Sequence, residues 1–297
     1  LAIGGNSLRP LKDILFEEYW EIAFRKIENN ETLLDNGGLC FELLKSDKSC
    51  WYADPFLFER GGRLYLFMEV FDSKTELGYI GCSEYDGCSF SKPIKVLQED
   101  FHLSYPHVFE RDGHFFMMPE THQANCIELY RAVEFPYRWE KHGILVNNIN
   151  AVDTDLLGNH LITCRVCESN DMSVDLCVIN FENGRPCEYS PVASNSFDKR
   201  CAGAVFKYDG KSIRPSQDCS GKSYGNRIHF WHITECSDEK YDETLIKTIR
   251  PDDICLKNGQ KPLCIHTYAK SGKIEIVDVK FRRLNFKRIL WIIKNRI

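Results

Sequence analysis

The sequence predicts an all-β fold, a five-bladed β-propeller with short N-terminal and C-terminal helices, and three observations predict it. Hairpin-like units of one design recur along the chain at intervals of roughly 50 residues, the period of stacked blades. Between them lie further short strand-like runs divided by Gly, Asp and Asn turns, with no strong helical period from Cys40 until the C-terminus. Hydrophobic residues make up 43% of the 297 and aromatics 12%, with Phe and Tyr prominent, a composition that suits strands and lacks the bias of a helical bundle. A two-sheet sandwich would also hold many short strands, but it does not require related hairpins at a steady period.

Taken in order, residues 1–39 read as an N-terminal helical brace. Leu15, Phe16, Tyr19, Ile22, Ala23 and Ile27 fall three to four residues apart within 12–27, the spacing of an amphipathic helix. Residues 40–280 read as the propeller. Its first unit runs from Trp51 to Glu69, with Pro55 to Phe58 and Arg63 to Met68 flanking the turn glycines Gly61 and Gly62. The second unit repeats it closely: Pro106 takes the place of Pro55, Phe109-Glu110-Arg111 that of Phe58-Glu59-Arg60, and Glu120 that of Glu69. Val152 to Ile162 forms a shortened third hairpin, Val205 to Gln217 a fourth, and Ile265 to Val277 a fifth that turns at Ser271-Gly272. Residues 281–297 carry Arg282, Arg283, Lys287, Arg288, Lys294 and Arg296 with no acid, while Phe286, Ile289, Leu290, Ile293 and Ile297 fall on one helical face. That pattern predicts a basic amphipathic C-terminal helix able to lie on an anionic membrane surface.

The balance of 38 basic against 43 acidic residues, a net charge of −5, excludes a general footprint for nucleic acid. Fourteen cysteines are scattered through strand-like runs, and the one close pair, Cys164-x-x-Cys167, lacks the partners a zinc site needs. They read as buried reduced thiols in a cytoplasmic protein, peripheral at the membrane if the C-terminal helix binds there, with no metal and no cofactor expected. No phosphate loop, nucleophile elbow or His-Glu-x-x-His motif is present.

Candidate chemistry gathers where strands meet one mouth of the channel. The first strand of a blade lines the channel and the second runs back beside it, so the start of one and the end of the other share that mouth. Reading those positions around the repeats gives Asp54 and Glu69, then Tyr105, His107 and Glu120, then Asp153, Asp155 and Arg165, then Arg214, Gln217 and Asp218, and finally His266. Asp54 lies in the aromatic setting Trp51-Tyr52-Ala53-Asp54-Pro55-Phe56, where an ionised carboxylate needs a partner or a purpose. Glu69 recurs as Glu120 and Gln217, whereas Tyr105 holds the place of Asp54 in the second unit. Aromatic rings beside carboxylates and amides suit sugars, whose C–H faces stack while their hydroxyls hydrogen-bond. Paired carboxylates across such a pocket suit glycosyl chemistry, with one acting as acid and the other as base or nucleophile.

Several separated blocks, Trp51-Tyr52-Ala53-Asp54-Pro55-Phe56, His102 to Glu110, Met117-Met118-Pro119-Glu120, Leu129-Tyr130-Arg131-Ala132 and Gln217-Asp218-Cys219-Ser220 with Tyr224-Gly225, resemble the N-terminal domain of plant glucosamine inositolphosphorylceramide transferases and their bacterial relatives. The resemblance implies a five-bladed propeller similar to glycoside hydrolases of the arabinanase and levansucrase type. There an Asp-Pro aspartate on the first blade is catalytic, and Asp54 matches it. In the plant proteins the sugar-transferring domain is a separate C-terminal one. The combined expectation is a carbohydrate-active propeller that binds a glycan, glycolipid or nucleotide sugar and serves cell-surface polysaccharide or glycolipid assembly. Asp54, Glu120 and Asp153 are its candidate catalytic residues. Trp51, Glu69, Tyr105, His107, Asp155, Arg165, Arg214, Gln217, Asp218 and His266 are its candidate substrate-binding residues. The alternative is a non-catalytic sugar-binding module that presents glycan or glycolipid to a partner transferase.

Overall fold

A computed structural model describes residues 15–44, 46–47, 49–167, 170–220, 224–285 and 294. They form an all-β propeller of five sheets. Sheet I holds Cys50–Arg60, Arg63–Asp72, Leu77–Glu84 and Ile94–Leu97, and sheet II holds Ser104–Arg111, His114–Glu120, Cys126–Glu134 and Arg138–Asn147. Sheet III holds Ala151–Leu157, His160–Cys167, Asn170–Asn180 and Ala193–Ser196. In sheet IV, Arg200–Cys201 and Phe206–Tyr208 both pair with Lys211–Asp218, followed by Arg227–Cys236 and Tyr241–Ile249. In sheets I to III consecutive strands are antiparallel neighbours, and in sheet IV the last three strands are, as hairpin connections dictate.

Sheet V is assembled from both ends of the described chain. Cys264–Ser271 pairs with Ile274–Leu284, which pairs along its whole length with Phe16–Lys26, from Phe16 opposite Leu284 to Lys26 opposite Ile274. Leu39–Leu44 adds outside, with Ile254–Leu256 parallel to it. The ring is thereby closed by hydrogen bonds between strands remote in sequence. The innermost strands touch in succession, Cys264–Ser271 against Cys50–Arg60, that against Ser104–Arg111, that against Ala151–Leu157, and that against Arg200–Cys201. Lys211–Asp218 returns to Cys264–Ser271.

This closure corrects the helical reading of 12–27. Residues 16–26 are a strand whose two faces are both covered: Ile22 and Phe24 pack towards Leu66 and Met68 of sheet I, while Tyr19 and Ala23 pack towards Phe230 of sheet IV. A strand buried on both sides places apolar residues at odd and even positions, and the 3 to 4 spacing arises from that superposition. The C-terminal helix is corrected at its start, since Phe281–Leu284 continue a strand, with Arg282 and Arg283 paired to Glu18 and Glu17 across it. The apolar face read at Phe286, Ile289, Leu290, Ile293 and Ile297 lies outside the described residues. Among the described residues the helical elements are two 3-10 turns, His122–Ala124 and Pro251–Asp253, with Leu15 and Lys294 as single helical positions, and no helix is long and apolar enough to cross a membrane.

Candidate functional site

The innermost strands share one irregularity that builds the channel mouth. Register slips by an extra residue between Ala53 and Phe56, Ser104 and His107, Val152 and Asp155, and Ile265 and Tyr268. Each slip is a bulge that turns a side chain out of the pleat and towards the axis. Asp54, Tyr105 and Asp153 occupy these bulges with φ of +49°, +47° and +49°. Asp153 therefore shares the place of Asp54, and the aspartate does recur. Aspartate tolerates the left-handed region because its short polar side chain can hydrogen-bond nearby.

Positive φ also aims the bulge amides sideways, at carboxylates of the preceding sheet. The Asp54 amide donates to Asp278 Oδ2 (3.1 Å), the Tyr105 amide to Asp54 Oδ2 (3.2 Å) and the Asp153 amide to Glu120 Oε2 (3.3 Å). Gly203 of sheet IV donates its amide to the Tyr105 hydroxyl (2.8 Å). Adjacent sheets are thus linked through Asp54 and Glu120, which the sequence offers as chemistry, and through Asp278.

Two clusters stand on this ring. In the first, His266 lies between two carboxylates, Nδ1 at 2.7 Å from Asp278 Oδ2 and Nε2 at 3.3 Å from Asp54 Oδ1, with its ring 4.0 Å from that of Trp20. The Thr267 hydroxyl donates to Asp54 Oδ1 (2.8 Å). Burial pushes the Asp54 carboxyl up to about 7, against the pull of His266, with Glu69, Asp153 and Asp278 adding to the rise. Burial works against the His266 cation, but Asp278 and Asp54 outweigh it and hold its pKa above the ordinary value.

In the second cluster Arg200 Nε donates to Asp153 Oδ2, and Nη2 of the same guanidinium lies 3.5 Å from Glu120 Oε2. Gln217 Nε2 reaches Asp153 Oδ2 and the Tyr224 hydroxyl, both at 3.3 Å, and the Tyr224 ring lies 5.0 Å from the Arg200 guanidinium carbon. Two carboxylates thus share one cation. Burial and the Asp153 charge hold the Glu120 carboxyl well above its usual range despite Arg200. Glu120, Arg200 and Tyr224 remain half-buried, so this cluster meets solvent.

The remaining candidates divide. Glu69 is beside the ring, its Oε1 3.2 Å from His102 Nε2; His102 Nδ1 accepts the Gly78 amide (3.0 Å), so Nε2 carries the proton towards Glu69. His107 and Asp155 bond one another at 3.1 Å one layer below the bulges, where Asp155 also accepts from the Tyr105 hydroxyl (3.3 Å). Trp51 stacks on Phe71 at 4.5 Å between centroids, outside the two clusters. Arg165 pairs with Asp175 (2.7 Å) on the neighbouring strand, and Asp218 with Arg227 (3.1 Å). Arg214 is fully buried and holds Glu243 by two bonds of 2.9 and 2.7 Å. Neither Arg165 nor Arg214 joins the mouth clusters through these bonds. Arg200, Asp278, Thr267, Trp20, Tyr224 and His102 were not among the sequence candidates. Asp278 had a legible signal, an acid inside the apolar run Ile274 to Val279.

Comparison with known proteins shows what the chain is similar to. The family model described as "Glucosamine inositolphosphorylceramide transferase 1, N-terminal" matches residues 40–259. Glucosamine inositolphosphorylceramide transferase 1 of Arabidopsis thaliana is 32% identical over 208 residues, which cover 66% of this chain and 27% of that protein. Its counterpart in Oryza sativa subsp. japonica is 31% identical over 209 residues, covering 66% of this chain and 28% of that protein. The chain therefore spans just over a quarter of the length of these relatives. The catalytic domain of a GH62 α-L-arabinofuranosidase from Coprinopsis cinerea shares the fold with a TM-score of 0.54 at 11% identity, over 85% of each chain. A GH62 hydrolase solved in complex with xylotriose has a TM-score of 0.52 at 9% identity, over 74% of this chain and 79% of its own.

Proposed function

The chain belongs to the glucosamine inositolphosphorylceramide transferase 1 N-terminal family, and from that premise we propose a five-bladed, carbohydrate-active propeller that takes a glycan or glycolipid at its channel mouth. Its setting would be cell-surface polysaccharide or glycolipid assembly. The observation that carries the reading is the convergence of Asp54, Glu120 and Asp153 with Arg200, Gln217 and Tyr224 at one end of the inner strands. Hydroxyl-rich ligands need such alternation of acceptors and donors beside an aromatic ring. Glu120 serves as the acid, because one guanidinium between two carboxylates leaves a proton to be held on one of them. Asp54 serves as base or nucleophile, with His266 beside it and Asp278 orienting that imidazole. Asp153 fixes Arg200. Glu69 with His102, and Gln217 with Tyr224, contact the sugar hydroxyls.

A second reading, a sugar-binding module that presents its ligand to a transferase domain, is favoured by one observation. Both Asp54 oxygens already accept bonds, from the Tyr105 amide and the Thr267 hydroxyl, which commits the carboxylate to structure. Asp54→Asn and Glu120→Gln separate the two readings. For a catalyst each abolishes turnover of a panel of glycosides, glycolipids and nucleotide sugars while binding stays within about tenfold, roughly 1.4 kcal/mol. Saturable glycan binding with no turnover by the parent protein would establish the module instead, and absence of glycan binding would overturn both. The basic residues that follow the closing strand, Lys287, Arg288, Lys294 and Arg296, would hold the domain peripherally at an anionic membrane surface.

A further inference from the structure

At the outer part of sheets III and IV, away from the two mouth clusters, three different metal-ligating side chains converge. His160, the first residue of its strand, Cys187, in the segment after Asn170–Asn180, and Asp238, in the turn between Arg227–Cys236 and Tyr241–Ile249, each present a ligand atom, and these atoms all lie within 4.8 Å of one another. We propose that His160, Cys187 and Asp238 form a zinc site that fastens sheet III to sheet IV.

The donor set fits zinc and fits hard cations poorly. A thiolate, an imidazole and a carboxylate are the three protein ligands of Zn²⁺, whereas Ca²⁺ and Mg²⁺ take oxygen. Tetrahedral zinc with bonds of about 2.0 to 2.3 Å sets neighbouring donors about 3.3 to 3.8 Å apart. His160 Nε2 and Asp238 Oδ1 are 3.0 Å apart, and the triad closes to that geometry by a shift of about an ångström. The Asp238 side chain, 71% exposed, is free to make that shift, while His160 is 12% exposed and Cys187 is buried.

The supporting bonds are those that hold first ligands in place. Asn180 Nδ2 donates to Asp238 Oδ1 (3.1 Å), Cys187 donates its amide to the Val178 carbonyl (3.0 Å), and the Tyr189 hydroxyl donates to the Ser237 carbonyl (2.6 Å). The last bond ties the segment bearing Cys187 to the turn bearing Asp238. The site faces a cleft of about 550 Å³ lined by Asn180, Arg185, Cys187 and Asp238, which gives an ion a path in from solvent. Binding requires the Cys187 thiol to lose its proton, so affinity rises with pH and protons are released.

The test uses the whole chain, stripped with a chelator and titrated with zinc against a chromophoric competitor, and separately loaded with Co²⁺. One equivalent of zinc is expected to bind, with a rise in melting temperature and, for cobalt, a thiolate-to-metal charge-transfer band in the near ultraviolet. Cys187→Ser should abolish the band, and His160→Gln and Asp238→Asn should each weaken zinc at least 10-fold. Cys88→Ser, an exposed thiol elsewhere, should change nothing. Asp238→Asn sits at an exposed turn and keeps the test decisive where a core variant fails to fold. Zinc bound by folded Asp238→Asn as tightly as by the parent, no thiolate band with cobalt, or no zinc bound above the Cys187→Ser level would each overturn the assignment.

Discussion

Replacing Arg200 with Met tests whether the second mouth cluster is an electrostatic unit. Methionine keeps an unbranched apolar stem at this position while deleting the charge that Asp153 and Glu120 share. Removing one partner from a buried ion pair costs about 3 to 5 kcal/mol, because the remaining charge is left uncompensated. Asp153 keeps the Gln217 amide and Glu120 keeps the Asp153 backbone amide, so the loss belongs at the lower end, about 3 kcal/mol at pH 7.5. The deficit must depend on pH. Without Arg200 the two adjacent carboxylates hold at least one folded-state pKa further above its unfolded value. The folded variant then binds a proton that the unfolded chain releases, and its stability is greatest below the unfolded pKa and falls as pH rises through the folded one. Urea unfolding followed by tryptophan fluorescence from pH 4.5 to 8 should show parent and variant converging as pH falls. A constant difference across that range, or a loss under about 1 kcal/mol at pH 7.5, would show that Arg200 does not neutralise the cluster.

Two further outcomes follow from charges placed elsewhere in the ring. Glu243, held near a pKa of about 2 against burial by Arg214 and Lys199, contributes stability that is fully present above the unfolded value of 4.5 and is lost as pH falls through about 2. Glu243→Gln should therefore lower stability by about 3 kcal/mol at pH 7 and flatten the acid limb of the unfolding curve, and an unchanged acid limb would refute the pairing. Removing residues 286–297, which leaves the closing strand intact, should abolish sedimentation with anionic but not neutral liposomes; equal sedimentation of both forms would end the membrane proposal.

What could be read in the sequence was what each hairpin encodes locally. Gly61-Gly62, Gly113, Gly158, Gly210 and Gly272 all adopt positive φ in their turns, and the strands on either side carry the apolar residues that reveal a blade. The acids at the channel mouth were legible for the same reason, since Asp54 and Asp153 interrupt apolar runs and Glu120 ends one. Phe16–Lys26 was not legible as a strand, because its partner Ile274–Leu284 lies at the opposite end of the chain and no local pattern announces that pairing. Arg200 escaped because its strand is two residues long and has no hairpin of its own. Its importance comes from its contact with Asp153 of sheet III and Glu120 of sheet II, which only the assembled ring supplies.

The ring also changes what the aspartates mean. Asp54 accepts from sheet II through the Tyr105 amide and from sheet V through Thr267, and its own amide is held by Asp278 of sheet V. It therefore stands at the seam where the last sheet meets the first. A carboxylate so placed is pre-organised, with its orientation fixed before any ligand arrives, and water is largely excluded from it. Those conditions raise its pKa, and they are also the conditions under which a base or an acceptor for a sugar hydroxyl acts most strongly. Structural and chemical roles are consequently not alternatives at this residue. The bulge that sets φ at +49° both closes the ring and aims the carboxylate, so a substitution that disturbed one would disturb the other. Glu120 differs: it is half-buried and shares Arg200 with Asp153, and it lies on the strand opposite a bulge rather than in one. Its side chain makes one seam bond, from the Asp153 amide, which the carbonyl oxygen of a glutamine can still accept, and this makes Glu120→Gln the cleaner probe of chemistry and Asp54→Asn the probe of chemistry and closure together.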